Sequence, residues 1–318
     1  VIFGFRRRSK KWQLLSIVSV IGFAYISICL FLLFRQRHFI YRPKLELSML
    51  PSAAAFNLPY EDVLINISGS KEQLHGWWVP AASPQATFSI IPHEPVQILK
   101  SPKVMLYLCG VGNNMGDYNY LSRVAAFRQL GFSVLVFDYR GYGRSKGNFP
   151  SEPQVYEDAN AAWNYLRDVR NIPSKQILIY GESLGGAIAL DLATKHPEAG
   201  GLIMQSSFTS MLEAINYKAF SKVLPVDLIL TERFNSISKI KSLQVPVLFI
   251  HGKDDPIVPS EMSQQLYNAA PEPKQLFLIS GAEHVRIYQP GQSYLKAIQK
   301  FVGSLPQNST NPQSHNRL

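Results

Sequence analysis

The chain has 318 residues, 46% of them hydrophobic and 17% charged, a balance that suits a buried core and excludes a disordered or collagen-like chain. Its formal charge is +10, but nine of the 32 Lys and Arg residues, and none of the 22 Asp and Glu, fall in residues 1–44. The body is thus nearly neutral, with 23 basic against 22 acidic side chains, and nucleic acid is not an expected partner. Of the two cysteines, Cys29 lies in an apolar run and Cys109 at a strand end, so a disulfide between them is not expected.

Residues 1–11 form a basic flank, and residues 12–34 carry no charge. As a helix the uncharged run would be roughly 34 Å long, enough to cross a ~30 Å hydrocarbon core. A cleaved signal peptide would have a shorter apolar region and a small-x-small site, and neither is present. Residues 12–34 are therefore expected to be a transmembrane helix, with the lipid bilayer as partner. Five basic residues precede the run and four follow it, which slightly favours a body on the non-cytosolic side. Residues 35–57, with two prolines at 43 and 51 and no sustained period, read as a juxtamembrane linker.

Apolar, strand-like runs then occupy Val63–Ile67, Trp77–Val79, Val104–Leu108, Val134–Phe137, Ile177–Tyr180, Leu202–Gln205, Val247–Ile250 and Gln275–Ile279. Helical periodicity marks Tyr118–Leu130, Pro153–Arg167, Leu184–Lys195, Ser260–Ala269 and Ser293–Val302. A hairpin followed by alternating strands and helices predicts an α/β domain over residues 58–303, with a mostly parallel eight-stranded sheet and helices on both faces. The long interval 206–244 leaves room for a short helical cap over the strand ends, where open α/β sheets bind ligands. Ala81–Lys103 reads as a loop, and residues 304–318 as a polar tail.

Gly181-Glu182-Ser183-Leu184-Gly185 stands between a predicted strand and a predicted helix, the G-x-S-x-G pattern of a nucleophile elbow. A serine on so sharp a turn needs glycines at Gly181 and Gly185, where a Cβ would collide with the neighbouring strand and helix. Ser183 needs a base and an orienting carboxylate. Of seven histidines, His38, His93 and His315 lie by the apolar run, in a loop and in the tail, His75 begins a strand, and His196 ends a helix where capping is the ordinary role. His251 and His284 both follow strand ends, as Ser183 does, and the loop after His251 carries Asp254 and Asp255.

With these motifs in this order, the chain resembles the α/β-hydrolase superfamily over roughly residues 58–303. Within it, the chain is similar to single-pass membrane-anchored serine hydrolases related to dienelactone hydrolases and prolyl-oligopeptidase-type peptidases. The family's H-G-x-x-D-x-x-V-P loop matches His251–Pro259 and places the acid on Asp255, and its G-A-x-H matches Gly281–His284, which implies His284 as base and a structural role for His251. Asp138-Tyr139-Arg140-Gly141-Tyr142-Gly143-Arg144-Ser145 matches the family's D-Y-R-G-Y-G-x-S turn and is expected to support loops rather than bind phosphate. Two backbone N–H groups, of Leu184 and Val111, are the expected oxyanion hole. The loop departs from the family pattern, with Cys109 in place of histidine and Val111 in place of the frequent asparagine.

The resemblance implies a serine hydrolase that cleaves an ester, thioester or acyl-lipid bond through a Ser183-His284-Asp255 triad and an acyl-enzyme, on a small acyl or acylated substrate. A peptidase of prolyl-oligopeptidase type and a silent scaffold are the alternatives. No cofactor and no metal are expected, since neither a nucleotide fingerprint nor a zinc-ligand pattern is present.

Overall fold

A computed structural model describes residues 10–82, 103–217, 223–285 and 293–306. It begins with a long helix, α1 (Lys10–Ile40), whose apolar stretch reaches a mean hydropathy of 2.6, is unburied by the rest of the chain, and is long and apolar enough to cross a membrane. Strands β1 (Glu61–Asn66) and β2 (Gln73–Val79) follow as an antiparallel hairpin. Then come β3 (Lys103–Leu108), α2 (Tyr118–Gln129), β4 (Phe132–Phe137), α3 (Glu152–Asn164), β5 (Ile177–Glu182), α4 (Leu184–Lys195) and β6 (Gly201–Gln205). The cap consists of α5 (Met211–Asn216), α6 (Val226–Ile229) and α7 (Ser236–Lys239), and the chain closes with β7 (Val247–Gly252), α8 (Ser260–Ala269), β8 (Lys274–Ile279) and α9 (Ser293–Ser304).

The eight strands form one sheet in the order β1-β2-β4-β3-β5-β6-β7-β8. Pairing is antiparallel from β1 to β4 and parallel from β4 to β8. Strands β5, β6 and β7 are buried at every position, and mostly apolar, because both faces are covered. Leu106, Ile179, Met204 and Phe249 point into one core with residues of α3 and α4. Met105, Tyr107, Leu178, Tyr180, Ile203 and Leu248 point into the other with α2 and α9.

All eight expected strands are present. β2 begins four residues earlier than expected because it pairs with β1 on one side and β4 on the other, which places His75 inside the strand opposite Leu64. α3 continues past Asn164 as a single π-helical turn, Tyr165–Val169. Most of the expected loop 81–103 and of the tail 304–318 lies outside the described residues.

The expected linker over 35–57 is corrected. α1 runs on to Ile40, and Tyr41, Phe56 and Leu58 are buried in the two cores. Gln36 is buried against the cap, where its amide donates to the Ile229 carbonyl (3.1 Å) and accepts from the Thr231 N–H (2.8 Å). Glu232, 2% exposed, receives Arg37 Nε (2.9 Å), the Tyr41 hydroxyl (2.6 Å) and the Glu152 N–H (2.6 Å). These residues stay packed because leaving the buried Glu232 carboxylate without donors would cost far more than ordering the chain around it.

Candidate active site

Ser183 follows the last residue of β5 and precedes the first of α4, with φ 52° and ψ −122°. That backbone is strained for a residue with a side chain, and the surrounding packing holds it. A Cβ on Gly181 would stand 2.1 Å from the Gly185 carbonyl oxygen, and one on Gly185 would stand 2.2 Å from the Leu108 oxygen. Both glycines are therefore required by the closeness of β3, β5 and α4. The turn is pinned by the Ser183 N–H to the Gln205 carbonyl (2.9 Å) and by the Ser207 hydroxyl to the Ser183 carbonyl (2.9 Å).

The loops after β7 and β8 are tied together, with the Asp254 N–H donating to the Ala282 carbonyl (3.1 Å). This brings Asp255 and His284 to the end of β5. His284 Nε2 lies 3.1 Å from Ser183 Oγ, and His284 Nδ1 lies 2.6 Å from Asp255 Oδ2. The three side chains that the motifs singled out thus stand in one hydrogen-bonded series. Asp255 Oδ1 accepts the N–H groups of Ile257 (2.8 Å) and Val258 (2.9 Å).

His251 has a closer connection to the site than the sequence suggests. It is fully buried, and its Nε2 faces two acceptors, Asp255 Oδ2 (3.1 Å) and the Val258 carbonyl (2.9 Å). Nε2 therefore carries a proton, and Nδ1 lies 2.7 Å from the Ser263 hydroxyl. Burial alone would raise the Asp255 carboxyl, but hydrogen bonds from His251, His284 and Val258 outweigh it and hold the group well below the usual carboxylate range. Asp255 is ionised at neutral pH.

The loop after β3 borders the same cavity, of about 100 Å³, which Gly110, Val111, Ser183, Gln205, Ser206 and His284 help to line. Leu184 opens α4, so its N–H has no partner within the helix. Cys109 is buried, and burial pushes its thiol well above the ordinary range, leaving it protonated and inert. In place of a histidine's support, the loop is braced from outside. The Tyr139 hydroxyl donates to the Cys109 carbonyl (3.2 Å), the Gly112 N–H to the Tyr41 carbonyl (3.0 Å), and the Met115 N–H to Asp138 Oδ1 (2.7 Å). The D-Y-R-G-Y-G turn thus supports loops, as expected. Burial pushes the Asp138 carboxyl up to about 7, partly opposed by the Met115 hydrogen bond.

Two further features escape sequence reasoning. Glu182, the variable residue of the elbow, is buried and paired with buried Arg123 of α2 (2.8 Å), and Arg123 also donates to the Val285 carbonyl beside His284 (2.7 Å). One guanidinium therefore links the residue before Ser183 to the residue after His284. The only sequence signal was an acid at the end of an apolar strand. In addition, Gln205 Nε2 and Ser206 Oγ are buried and have no protein partner among the described residues, although both residues line the cavity. Among the described residues no group of three or more His, Cys, Asp or Glu side chains is placed to hold a metal ion.

The family model described as "Serine aminopeptidase, S33" matches residues 100–237 and 230–288. The chain is 33% identical over 300 residues to the uncharacterized protein Rv2307c of Mycobacterium tuberculosis, covering 92% of this chain and 96% of that one. It is 32% identical over 222 residues to the lysophosphatidylserine lipase ABHD12 of Danio rerio, covering 65% of this chain and 56% of that one. Among solved structures, the esterase Pf2001 of Pyrococcus furiosus superposes with a TM-score of 0.66 at 21% identity, covering 84% of this chain and 98% of that one. With its eight-stranded sheet, the strand-to-helix elbow at Ser183 and a family match over most of the body, the chain belongs to the α/β-hydrolase superfamily, in the family described as serine aminopeptidase S33.

Proposed function

We propose that the chain is a membrane-anchored serine hydrolase that cleaves an ester, thioester or acyl-lipid bond. The observation that carries this reading is the hydrogen-bonded series from Ser183 Oγ through His284 to an ionised Asp255. His284 Nε2 takes the hydroxyl proton as Ser183 Oγ bonds to the substrate carbonyl carbon, and Asp255 holds the resulting imidazolium. The N–H groups of Leu184 and Val111 receive the oxyanion. His284 then returns its proton to the leaving group as the bond to it breaks, leaving an acyl-Ser183. A water gives a proton to His284 as its oxygen bonds to the acyl carbon, and His284 returns that proton to Ser183 Oγ as the acyl–Oγ bond breaks, which releases the acid and restores Ser183. Gln205 Nε2 and Ser206 Oγ, buried at the cavity wall, are available to polar atoms of the substrate.

In this reading residues 12–34 span the bilayer, and the body from 58 to 303 lies on the non-cytosolic side, by the distribution of basic residues. The lipase relative favours an acyl-lipid substrate. The family description favours a second reading, a serine peptidase on the same machinery.

The test is labelling of the full chain with a fluorescent fluorophosphonate, followed by turnover of acyl p-nitrophenyl esters and aminoacyl p-nitroanilides. Wild type should label, and Ser183→Ala should abolish labelling and lower ester turnover by at least ~10³-fold with its circular dichroism unchanged. Folded wild type that does not label would refute the hydrolase reading. Turnover confined to the anilides would select the peptidase.

A further inference from the structure

Part of the cap presents apolar side chains outward. Tyr217 is 62% exposed, Val223 73% and Leu228 82%. Scattered apolar residues on a surface are ordinary, but Val223 and Leu228 belong to the segment 223–230, which lies along α1. α6, which carries Leu228, packs against α1. The Tyr25 hydroxyl donates to the Val223 carbonyl (3.1 Å). Between cap and helix is a crevice of about 210 Å³ lined by Leu32, Phe39, Ile215, Leu224, Val226 and Leu230.

The register of that contact sets a depth. Tyr25 lies nine residues before Phe34, the last uncharged residue of the apolar run, which is roughly 14 Å along a helix axis. The run exceeds a ~30 Å hydrocarbon core by only a few ångströms. Val223 is therefore carried roughly 10 Å inside the apolar zone, close to the depth at which interfacial apolar faces embed. The geometry cannot relax by a swing of the body, because Gln36, Arg37 and Tyr41 fasten the end of α1 to Ile229, Thr231 and Glu232. The Tyr25 hydroxyl, which hydrocarbon would leave without a partner, has one in the Val223 carbonyl.

We infer that the apolar tip of the cap, Val223 and Leu228, is a docking surface for the lipid bilayer, held at a fixed depth by α1. The inference rests on the reading of α1 as a membrane span. It extends that reading from a tether to an orientation, in which one face of the hydrolase is pressed into the leaflet where acyl substrates reside.

The experiment uses the full chain with Cys29→Ser, reconstituted in phosphatidylcholine vesicles. Single spin labels are placed through Ile17→Cys in α1, Val223→Cys and Leu228→Cys in the cap, and Gln264→Cys on the exposed side of α8 as a water control. Collision with oxygen and with a water-soluble nickel chelate reports depth. The expected result is that the labels at 17, 223 and 228 are all oxygen-accessible and shielded from nickel by at least fivefold relative to the label at 264. A shielded label at 17 with nickel-accessible labels at 223 and 228 overturns the docking surface and leaves the anchor standing. A nickel-accessible label at 17 overturns the anchor, and the inference with it.

Discussion

Two buried carboxylates hold two junctions of this molecule, and they are built differently. Asp255 accepts two imidazoles and two backbone N–H groups. Glu232 accepts a guanidinium, a phenol and one backbone N–H. At Asp255 three of the four donors come from residues 251 to 258, and the fourth, His284, sits in the loop that follows the adjacent strand β8. The donors to Glu232 come from residues 37, 41 and 152, so no local motif announces it. The charge of Glu232 is matched by a permanent cation, which suits a fastening. The charge of Asp255 faces groups that can gain or lose a proton, which suits chemistry.

The comparison can be broken first at Asp255. Asp255→Asn should lower ester turnover by ~10³ to 10⁴-fold, because the amide cannot hold His284 in the tautomer that accepts from Ser183. Loss of the fold in that variant, seen by circular dichroism, would make Asp255 a fastening after all. Glu232→Ala should do the reverse. It leaves Tyr41 and the Glu152 N–H without their acceptor, so we expect a loss of about 2 kcal/mol in stability by denaturant titration. Turnover of a water-soluble ester per folded molecule should stay within about threefold, and a larger loss would mean that the junction of α1 with the cap governs the site through Tyr41 and Gly112.

The mildest change sharpens the role of His251. A carboxylate whose group is depressed in the folded state adds stability above its unfolded value, near pH 4, and loses that contribution as pH falls toward the folded value. His251→Leu removes one hydrogen bond that depresses Asp255. Acid unfolding should then begin at a higher pH, by a few tenths of a unit, whereas His251→Gln, which keeps a donor, should shift it less. Equal shifts in the two variants would show that His251 acts by packing alone.

Much of this architecture is legible in the sequence. The strands announce themselves because a doubly covered sheet favours apolar residues on both faces, and Ser183 announces itself because only glycine fits at Gly181 and Gly185. Local strings, His251–Pro259 and Gly281–His284, carry the residues that now stand within 3.1 Å of one another. Residues 35–57 misled because two prolines and an irregular pattern look alike whether a segment is free or wrapped around a core. Arg123 and Glu182 are 59 positions apart and obey no spacing rule.

What the sequence by itself determined, then, is the class of fold and the apolar helix, because each depends on periodicity, and its motifs, read through the family resemblance, singled out Ser183, Asp255 and His284 as candidates. The tertiary structure alone decided that α1 is bolted to the cap, that Tyr41 braces the loop at Gly112, and that Arg123 joins the two sides of the site. Those contacts pair groups far apart in the chain, and only the folded backbone brings a buried charge to the donors that satisfy it.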